Sequence, residues 1–528
     1  MSITRWNPSK EITPQEKFIL NRCKKTRKLF SFLREVRSQL FDDETQDKLA
    51  KMYRDTGAGK KPLCPAMMAM ALIIQGYLRV SDGEAIELTV VDLRWQMVLD
   101  RIGETHPAFS QGALFDFRER LIENELDLWI LQRTAELARS TKGFDAKKIP
   151  KTLCVAIDSS PLAGAGRVED TINLIGHAAR KVVECIAELL ECKFETVCQE
   201  AGIPLLLESS IKKALDRDWS DAVQKAEAVN VLAKQVLALE RWIDRNLEQE
   251  TKKPPLSRLL KVLHRLIEQD LEPDPKGGNG LRIKDGVAPD RQISVEDEDM
   301  RHGRKSKSKR IDGYKRHVAT DLDSKAILSC AVTPANRPEH EALPVIKTEL
   351  EEQKIRISEV HFDRGYIASP SVDELENDGV IILCKPWKSR NGKLFTKEDF
   401  VLNLREKTIT CPAGNTEPIE FGTSVNFNPS DCDACSLREQ CTEAKAGTGR
   451  SVNILEDERR QKKLRDMAKT KSGRQRFRER VPVEHSLAHI GQRQGRKARY
   501  CGTRKNLFDL RRAAAIQNLE IIQRRAAA

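Results

Sequence analysis

Apolar residues recur every three or four positions through most of residues 1–140, and that spacing predicts a run of short helices. Pro65 suits a first helical turn, and Ser81 with Glu84 forms a capping box ahead of AIELTVVDLRWQMVLD. Ser110 caps a further run in which Leu114, Phe117, Leu121 and Leu128 keep helical spacing. Short helices joined by capped turns suit helix-turn-helix DNA binding, and equally a helical bundle that touches no nucleic acid. Lys60 and Lys61 read either as a phosphate contact or as a solvated turn.

The period then shortens. GFDAKKIP at 143–150 reads as a linker, and 152–158 as a strand that ends on Asp158 and opens into the small-residue loop SSPLAGAGR. Two long amphipathic helices follow, one carrying Ile172, Ile175, Ala179, Val182, Ile186 and Leu189, the other Val229, Leu232, Val236, Leu239 and Ile243. A third is expected at 257–271, before a linker at 272–280. These helices interrupt the sheet, either as an arm for self-association or as a packed helical subdomain. Residues 314–321 and 325–332 predict a hairpin. A helix begins near Asn336 and Pro338, and 356–362 is a strand that delivers Asp363 ahead of Arg364, Gly365 and Tyr366. A helix at 369–377, a fifth strand at 380–387 and a last helix carrying Glu484 complete the order. Strand, insertion, hairpin, helix, strand, helix, strand, helix is the order of an α/β RNase H-like fold, a mixed five-stranded sheet with flanking helices. The expected organisation is therefore an all-α N-terminal domain (1–142), a catalytic core (151–170, 290–400 and 476–528), a helical insertion (171–271) and a cysteine-rich insert (405–450).

Composition narrows the function. The 528 residues are 39% hydrophobic and 32% charged, and no apolar run is long enough to span a bilayer. The N-terminus has no apolar signal segment, so a cytoplasmic protein is expected. Lys and Arg outnumber Asp and Glu, 91 to 79, a net charge of +12 that favours a polyanionic partner. Eight of the eighteen residues at 301–318 are Lys or Arg. This stretch runs into a strand, so its cations would lie along phosphates beside an acidic strand end.

Thirteen cysteines without a signal segment argue for reduced thiols. Cys411, in a Cys-Pro-Ala-Gly turn, Cys432 and Cys435, in a CxxC pair, and Cys441 offer four thiolates, enough to close a structural Zn²⁺ site. The alternative is a reduced loop with no metal. The other cysteines read as small core residues.

Asp158 and Asp363 at strand ends and Glu484 on a helix form the sharpest candidate constellation. Carboxylate oxygens suit Mg²⁺ or Mn²⁺, and a pair of such ions clamps the attacking and leaving oxygens of a phosphodiester. With 79 acidic residues, chance triads are easy to draw. The context of each acid raises this one. VAIDSSPL, HFDRGY and FRERVPVEH resemble the three acidic motifs of bacterial insertion-sequence transposases of the DDE, RNase H-like kind. In the last, Phe477 stands for the family's Tyr, Arg480 and Glu484 match, and Gly491 occupies the Lys place, with Arg493 or Lys497 as substitutes. KKPLCPAMMAMALIIQGYLRVSDGEAIE and DGYKRHVATD resemble the helical N-terminal domain and the hairpin of one branch of that family, as does the cysteine-rich insert.

The resemblance implies a division of labour. Asp158 would bridge two metals, with Asp363 and Glu484 each completing one. Arg480 would hold the scissile phosphate or orient Glu484, while Lys315, Arg364 and Arg493 would contact DNA. It further implies cleavage at the terminal inverted repeats of an element, joining of the 3′-hydroxyl to target DNA, a homodimer on DNA and a nucleoid-associated location. The competing readings are a metal-dependent nuclease that never joins and a DNA-binding repressor derived from a transposase. A glycosidase is disfavoured by the basic stretch and by a 5% aromatic content.

Overall fold

A computed structural model describes residues 3–526, apart from 24–27, 54–61, 141–151, 275–279, 306–307 and 355. The expected linker at 143–150 and Lys60 with Lys61 lie outside the described residues. Eight helices come first: α1 (Pro14–Cys23), α2 (Lys28–Leu40), α3 (Asp43–Ala50), α4 (Pro65–Leu78), α5 (Asp82–Val91), α6 (Leu93–Leu99), α7 (Gln111–Glu123) and α8 (Leu126–Ser140). The N-caps read from the sequence form as hydrogen bonds, without the reciprocal Glu84 side-chain bond of a capping box. Ser81 Oγ accepts from Glu84 N at 3.1 Å and Ser110 Oγ from Ala113 N at 3.2 Å, each satisfying an amide that the helix leaves open. Helix α4 is buried along most of its length, so an unbroken apolar run replaces an amphipathic stripe.

Strand β1 (Thr152–Ala163) leads into the insertion helices α9 (Thr171–Leu189), α10 (Ala222–Asn246) and α11 (Leu256–Asp270). Next come β2 (Arg301–Arg304), β3 (Arg310–Asp321), β4 (Ile327–Pro334), α12 (Leu343–Glu352), β5 (Arg356–Phe362), α13 (Pro370–Asn377) and β6 (Ile381–Leu383). After a region of short hairpins the chain ends with α14 (Glu458–Lys469), α15 (Val481–Gln494) and α16 (Thr503–Ala526), with a short helix, Lys471–Arg476, between the first two.

The sheet is mixed. Strands lie side by side in the order β4, β3, β1, β5, β6; β1, β5 and β6 run parallel, and β3 is antiparallel to β1 and to β4. β2 extends the outer edge beside residues 310–313, so the sheet has six strands where five were expected. The extra strand is the first part of the basic stretch, whose backbone pairs across Arg301↔Gly313 and Arg304↔Arg310. Other expectations are corrected as well. β1 continues through Ser159, Ser160 and Pro161 to Ala163, because β3 stays paired to it where the sequence suggested a loop. The fifth strand covers only Ile381–Leu383. The flanks of the expected linker at 272–280 pair as a two-stranded ribbon, Leu271↔Ile283 to Pro273↔Leu281.

The helix that carries Glu484 is not the last. Helix α16 follows it, with Phe508, Leu510, Ala514, Ile516 and Leu519 buried between the sheet and the N-terminal helices. One continuous apolar cluster runs from α2 and α4 through α16 into β1, β3, β4 and β5. Asn518 closes the edge of β4 by accepting from Ile327 N at 2.7 Å and donating to Ile327 O at 2.9 Å. The insertion helices bury a separate core of their own, including Ile175, Val182, Leu232 and Leu263. A third, small core around Phe400, Ile409, Phe427 and Ile454 supports the cysteine region. Among the described residues no helix is long and apolar enough to cross a membrane.

Candidate active site

Sheet register fixes the first two acids. Ile157 of β1 pairs in parallel with Phe362 of β5, so Asp158 and Asp363, one residue further on, come side by side near the middle of the sheet. Both are held from below. Asp158 Oδ1 accepts from Ser159 N at 2.7 Å, and Asp363 caps the turn 364–366 by accepting from Arg364 N at 2.9 Å. Pro482 sits in the first turn of α15, which places Glu484 in that turn as the sequence suggested. The helix buries Val483, Leu487 and Ile490 and leaves the Glu484 side chain 54% exposed.

Arg480, just before α15, joins the acids. Its Nη1 lies 3.4 Å from Asp158 Oδ2 and its Nη2 lies 3.3 Å from Glu484 Oε1. The guanidinium therefore spaces Glu484 away from the aspartate pair. Among the described residues, no three of Asp158, Asp363, Glu484 and Glu339 bring carboxylate oxygens within 4.8 Å of one another. Burial raises the Asp158 carboxyl; the Ser159 amide and Arg480 pull it down, and the charges of Asp363 and Glu339 push it up again. Negative charge is in excess around Asp158, the condition that a bound cation relieves.

Glu339 is the acid that sequence reasoning missed. It opens the turn after β4, takes a short hydrogen bond from Ser159 Oγ, and lies so close to Gly365 that a Cβ there would collide with its carboxylate. Its sequence surroundings, PEHEA, give no periodic or capping signal. Behind the aspartates a buried polar line also escaped notice. His317 Nδ1 lies 2.7 Å from Tyr366 Oη and its Nε2 lies 3.0 Å from Thr333 Oγ1. Burial drives the His317 imidazole down to about 3, so it stays neutral. Tyr366 is the aromatic residue of DRGY, and the register Ser159↔His317 puts this line opposite Ser159, the residue after Asp158.

A second cluster lies two and four residues back along β5. Glu359, His361 and Glu479 have ligand atoms within 4.8 Å of one another, and Arg476 forms an ion pair with Glu359. His361 is buried, and its Nδ1 has no partner among the described residues. With Arg476 already on Glu359, the cluster fastens the segment leading into α15 against β5.

The remaining candidates fall in three places. Arg364 lies 5.0 Å from the centre of the Trp387 ring, next to Asp363. Lys315 is half-buried and donates to Arg337 O at 2.6 Å, and burial lowers its ammonium despite the nearby Glu339. Arg493 is drawn away from the acids, into an ion pair with Glu520 and a ring contact with Tyr77. At Gly491 a Cβ would sit 3.3 Å from Arg316 Nη2. The Arg316 guanidinium occupies that space and ties β3 to the end of α15 through Gln494 Oε1 and Gly495 O, both at 3.0 Å.

Cys411, Cys432, Cys435 and Cys441 line one small cavity with Phe395 and Phe427. Amides donate to two of the sulfurs, Leu437 N to Cys435 Sγ and Arg450 N to Cys432 Sγ, each at 3.4 Å. Burial pushes the Cys441 thiol up, Arg450 pulls it down, and the other three thiols push it up. Among the described residues, no three of the four sulfurs come within 4.8 Å of one another.

Comparison with known families gives two matches. Residues 410–522, spanning the cysteine region, α15 with Arg480 and Glu484, and α16, match the family described as Transposase DDE domain. Residues 21–120 match the family described as Transposase domain (DUF772). Matches to transposase domains towards both ends of the chain support a DDE transposase. Two of the three candidate acids, Asp158 and Asp363, lie outside both matched stretches. DDE transposases generally use divalent metals, and the hard oxygen donors of this site suit such ions. No match was found among curated proteins or solved structures.

Proposed function

We propose that this transposase serves a bacterial insertion sequence, cutting DNA at the element ends and joining the freed 3′-hydroxyl to target DNA through Asp158, Asp363 and Glu484. The observation that carries the reading is the register of β1 against β5, which sets Asp158 beside Asp363 with Arg480 reaching from α15 to Asp158 and Glu484. Strand order 4-3-1-5-6, with a single antiparallel hairpin beside a parallel trio, supports an RNase H-like core built from β1, β3–β6 and α15. On this reading 1–142 is a DNA-binding domain, 171–271 an insertion and 405–450 a cysteine-rich insert.

Bound Mg²⁺ or Mn²⁺ would supply a nucleophilic water and neutralise charge on the scissile phosphate. Asp158 would contribute to both ions, while Asp363 and Glu484 would each hold one. Arg480 would leave the carboxylates and donate to a non-bridging phosphate oxygen. In the first step water forms the new P–O bond and the bond to the 3′-oxygen breaks, leaving a 3′-hydroxyl and a 5′-phosphate. In the second, that 3′-oxygen attacks a target phosphodiester, loses its proton and displaces the target's own 3′-oxygen. The Ser159 and Arg364 amides hold the Asp158 and Asp363 carboxylates in place. Cys411, Cys432, Cys435 and Cys441 would hold a structural Zn²⁺ that orders the loop. Pairing two DNA ends calls for a homodimer, and the protein would act at the nucleoid in the cytoplasm.

A joining assay tests this. Purified protein, Mg²⁺ and labelled DNA carrying the element's ends are mixed with plasmid target. Plasmid-linked label is the expected product. Cut ends that never join would replace the proposal with a nuclease that only hydrolyses.

A further inference from the structure

Beyond β6 the chain walls off a second cavity that the chemistry above does not use. It has a volume of about 420 Å³ and lies between residues 385–388, the end of α14 and the segment before Arg480. Arg364, next to Asp363, forms its near wall, so the cavity opens one residue from the acids. Seven Lys or Arg side chains line it against one acid, Glu398. Some of these cations have structural work. Arg465 pairs with Glu458, and Arg474 donates to Ala468 O and Lys469 O at 3.2 and 2.7 Å, closing the end of α14. Lys385, Lys388 and Arg478 are exposed and have no carboxylate partner among the described residues. Among them stands Trp387, 50% exposed, with the Arg364 guanidinium 5.0 Å from its ring centre.

A solvated basic rim explains unpaired lysines. It does not explain an indole left half in water at the mouth of a concave, positively charged cavity next to the acids. Burying that ring would stabilise the fold, and the protein leaves it out. Phosphates pair with exposed Lys and Arg, and an unpaired base presents a π-face that stacks on an aromatic ring whatever its sequence. A duplex offers its backbone but keeps its base faces stacked inside. We propose that this cavity binds an unpaired stretch of DNA strand next to the scissile phosphate, with a base stacked on Trp387 and its phosphates on Lys385, Lys388 and Arg478. The proposal rests on reading Asp363 as part of a DNA-cutting centre, and it adds the requirement that DNA near the cut be opened.

Binding is measured on the full-length protein in EDTA, so that it is independent of cleavage. The probes are a fluorescein-labelled oligothymidylate and a mixed-sequence duplex of matched length. Trp387→Ala is expected to weaken oligothymidylate binding about tenfold, within the range of one base–aromatic stack, and to change duplex binding by no more than about twofold. Trp387→Phe retains most of the affinity. Lys388→Ala lowers the salt dependence of oligothymidylate binding by about 0.7 in the log–log slope. Unchanged oligothymidylate binding by correctly folded Trp387→Ala would overturn the proposal, as would an equal loss on both DNAs. A separate cleavage assay with Asp158→Asn keeps the two readings apart. If that variant cut normally while Trp387→Ala lost strand binding, the pocket would stand and the assignment of the acids would fall.

Discussion

Arg480 stands where cation charge is needed, and removing it gives a measurable linkage. Its contact with Asp158 spans 3.4 Å, with both side chains 17% exposed. At an effective dielectric constant of about 20, unit charges about 4 Å apart attract by about 4 kcal/mol, and desolvation reduces such a pair to a net of about 1–2 kcal/mol. The contact with half-exposed Glu484 adds a few tenths of a kcal/mol. Arg480→Ala should therefore destabilise the protein in EDTA by about 1–2 kcal/mol. Divalent ions replace the lost charge, so the bare carboxylates should bind Mn²⁺ about 5- to 30-fold more tightly than in the wild type. Urea unfolding in EDTA and in saturating Mn²⁺ reads both effects. The deficit of Arg480→Ala should shrink or vanish with Mn²⁺. An equal deficit under both conditions would show that Arg480 holds the fold without competing for the metal position, and the reasoning would fail.

Further outcomes follow from neighbouring groups. Glu339→Gln keeps an acceptor for Ser159 and deletes a charge beside Asp158, so Mn²⁺ affinity should fall about tenfold, read by isothermal titration; an unchanged affinity would leave Glu339 a purely structural residue. His317 is neutral in the fold, with a pKa near 3 against 6.5 when unfolded, so below pH 6.5 only the unfolded chain takes up its proton. Its contribution is therefore complete above pH 6.5 and declines at about 1.4 kcal/mol per pH unit as pH drops toward 3; the stability difference between wild type and His317→Gln should follow that slope, and parallel curves would contradict it. Chelation at neutral pH should release one zinc per chain and lower the unfolding temperature, and Cys435→Ser should abolish both effects; a metal-free preparation of full stability would assign the cysteines to a plain reduced loop.

The three proposed acids drew notice because each sits where local chemistry marks it: Asp158 and Asp363 follow short β-branched runs, and Glu484 follows Pro482 in a helix start. Periodicity also drew the insertion helices close to their observed bounds, since each buries one face of its own small core. Helix α16 escaped because it is covered on several sides, so its arginines and alanines show no single apolar stripe. Its Arg511 and Arg512 are buried, the first on Asp127 and Glu349 and the second on Asp509. The length of β1 was missed for a different reason. Ser159, Ser160 and Pro161 resemble a loop, and only the antiparallel partner β3, some 150 residues away, holds them extended. Glu339 and His317 were hidden likewise, because what makes them notable is which distant residue they touch.

The most direct measurement is metal-dependent cleavage beside binding for wild type, Asp158→Asn, Asp363→Asn and Glu484→Gln on the same end-bearing DNA. The account predicts that Mg²⁺-dependent cutting is lost in all three variants while DNA affinity in EDTA stays near the wild-type value. Cleavage surviving in any one of them at the wild-type rate would remove that residue from the catalytic centre and contradict the assignment.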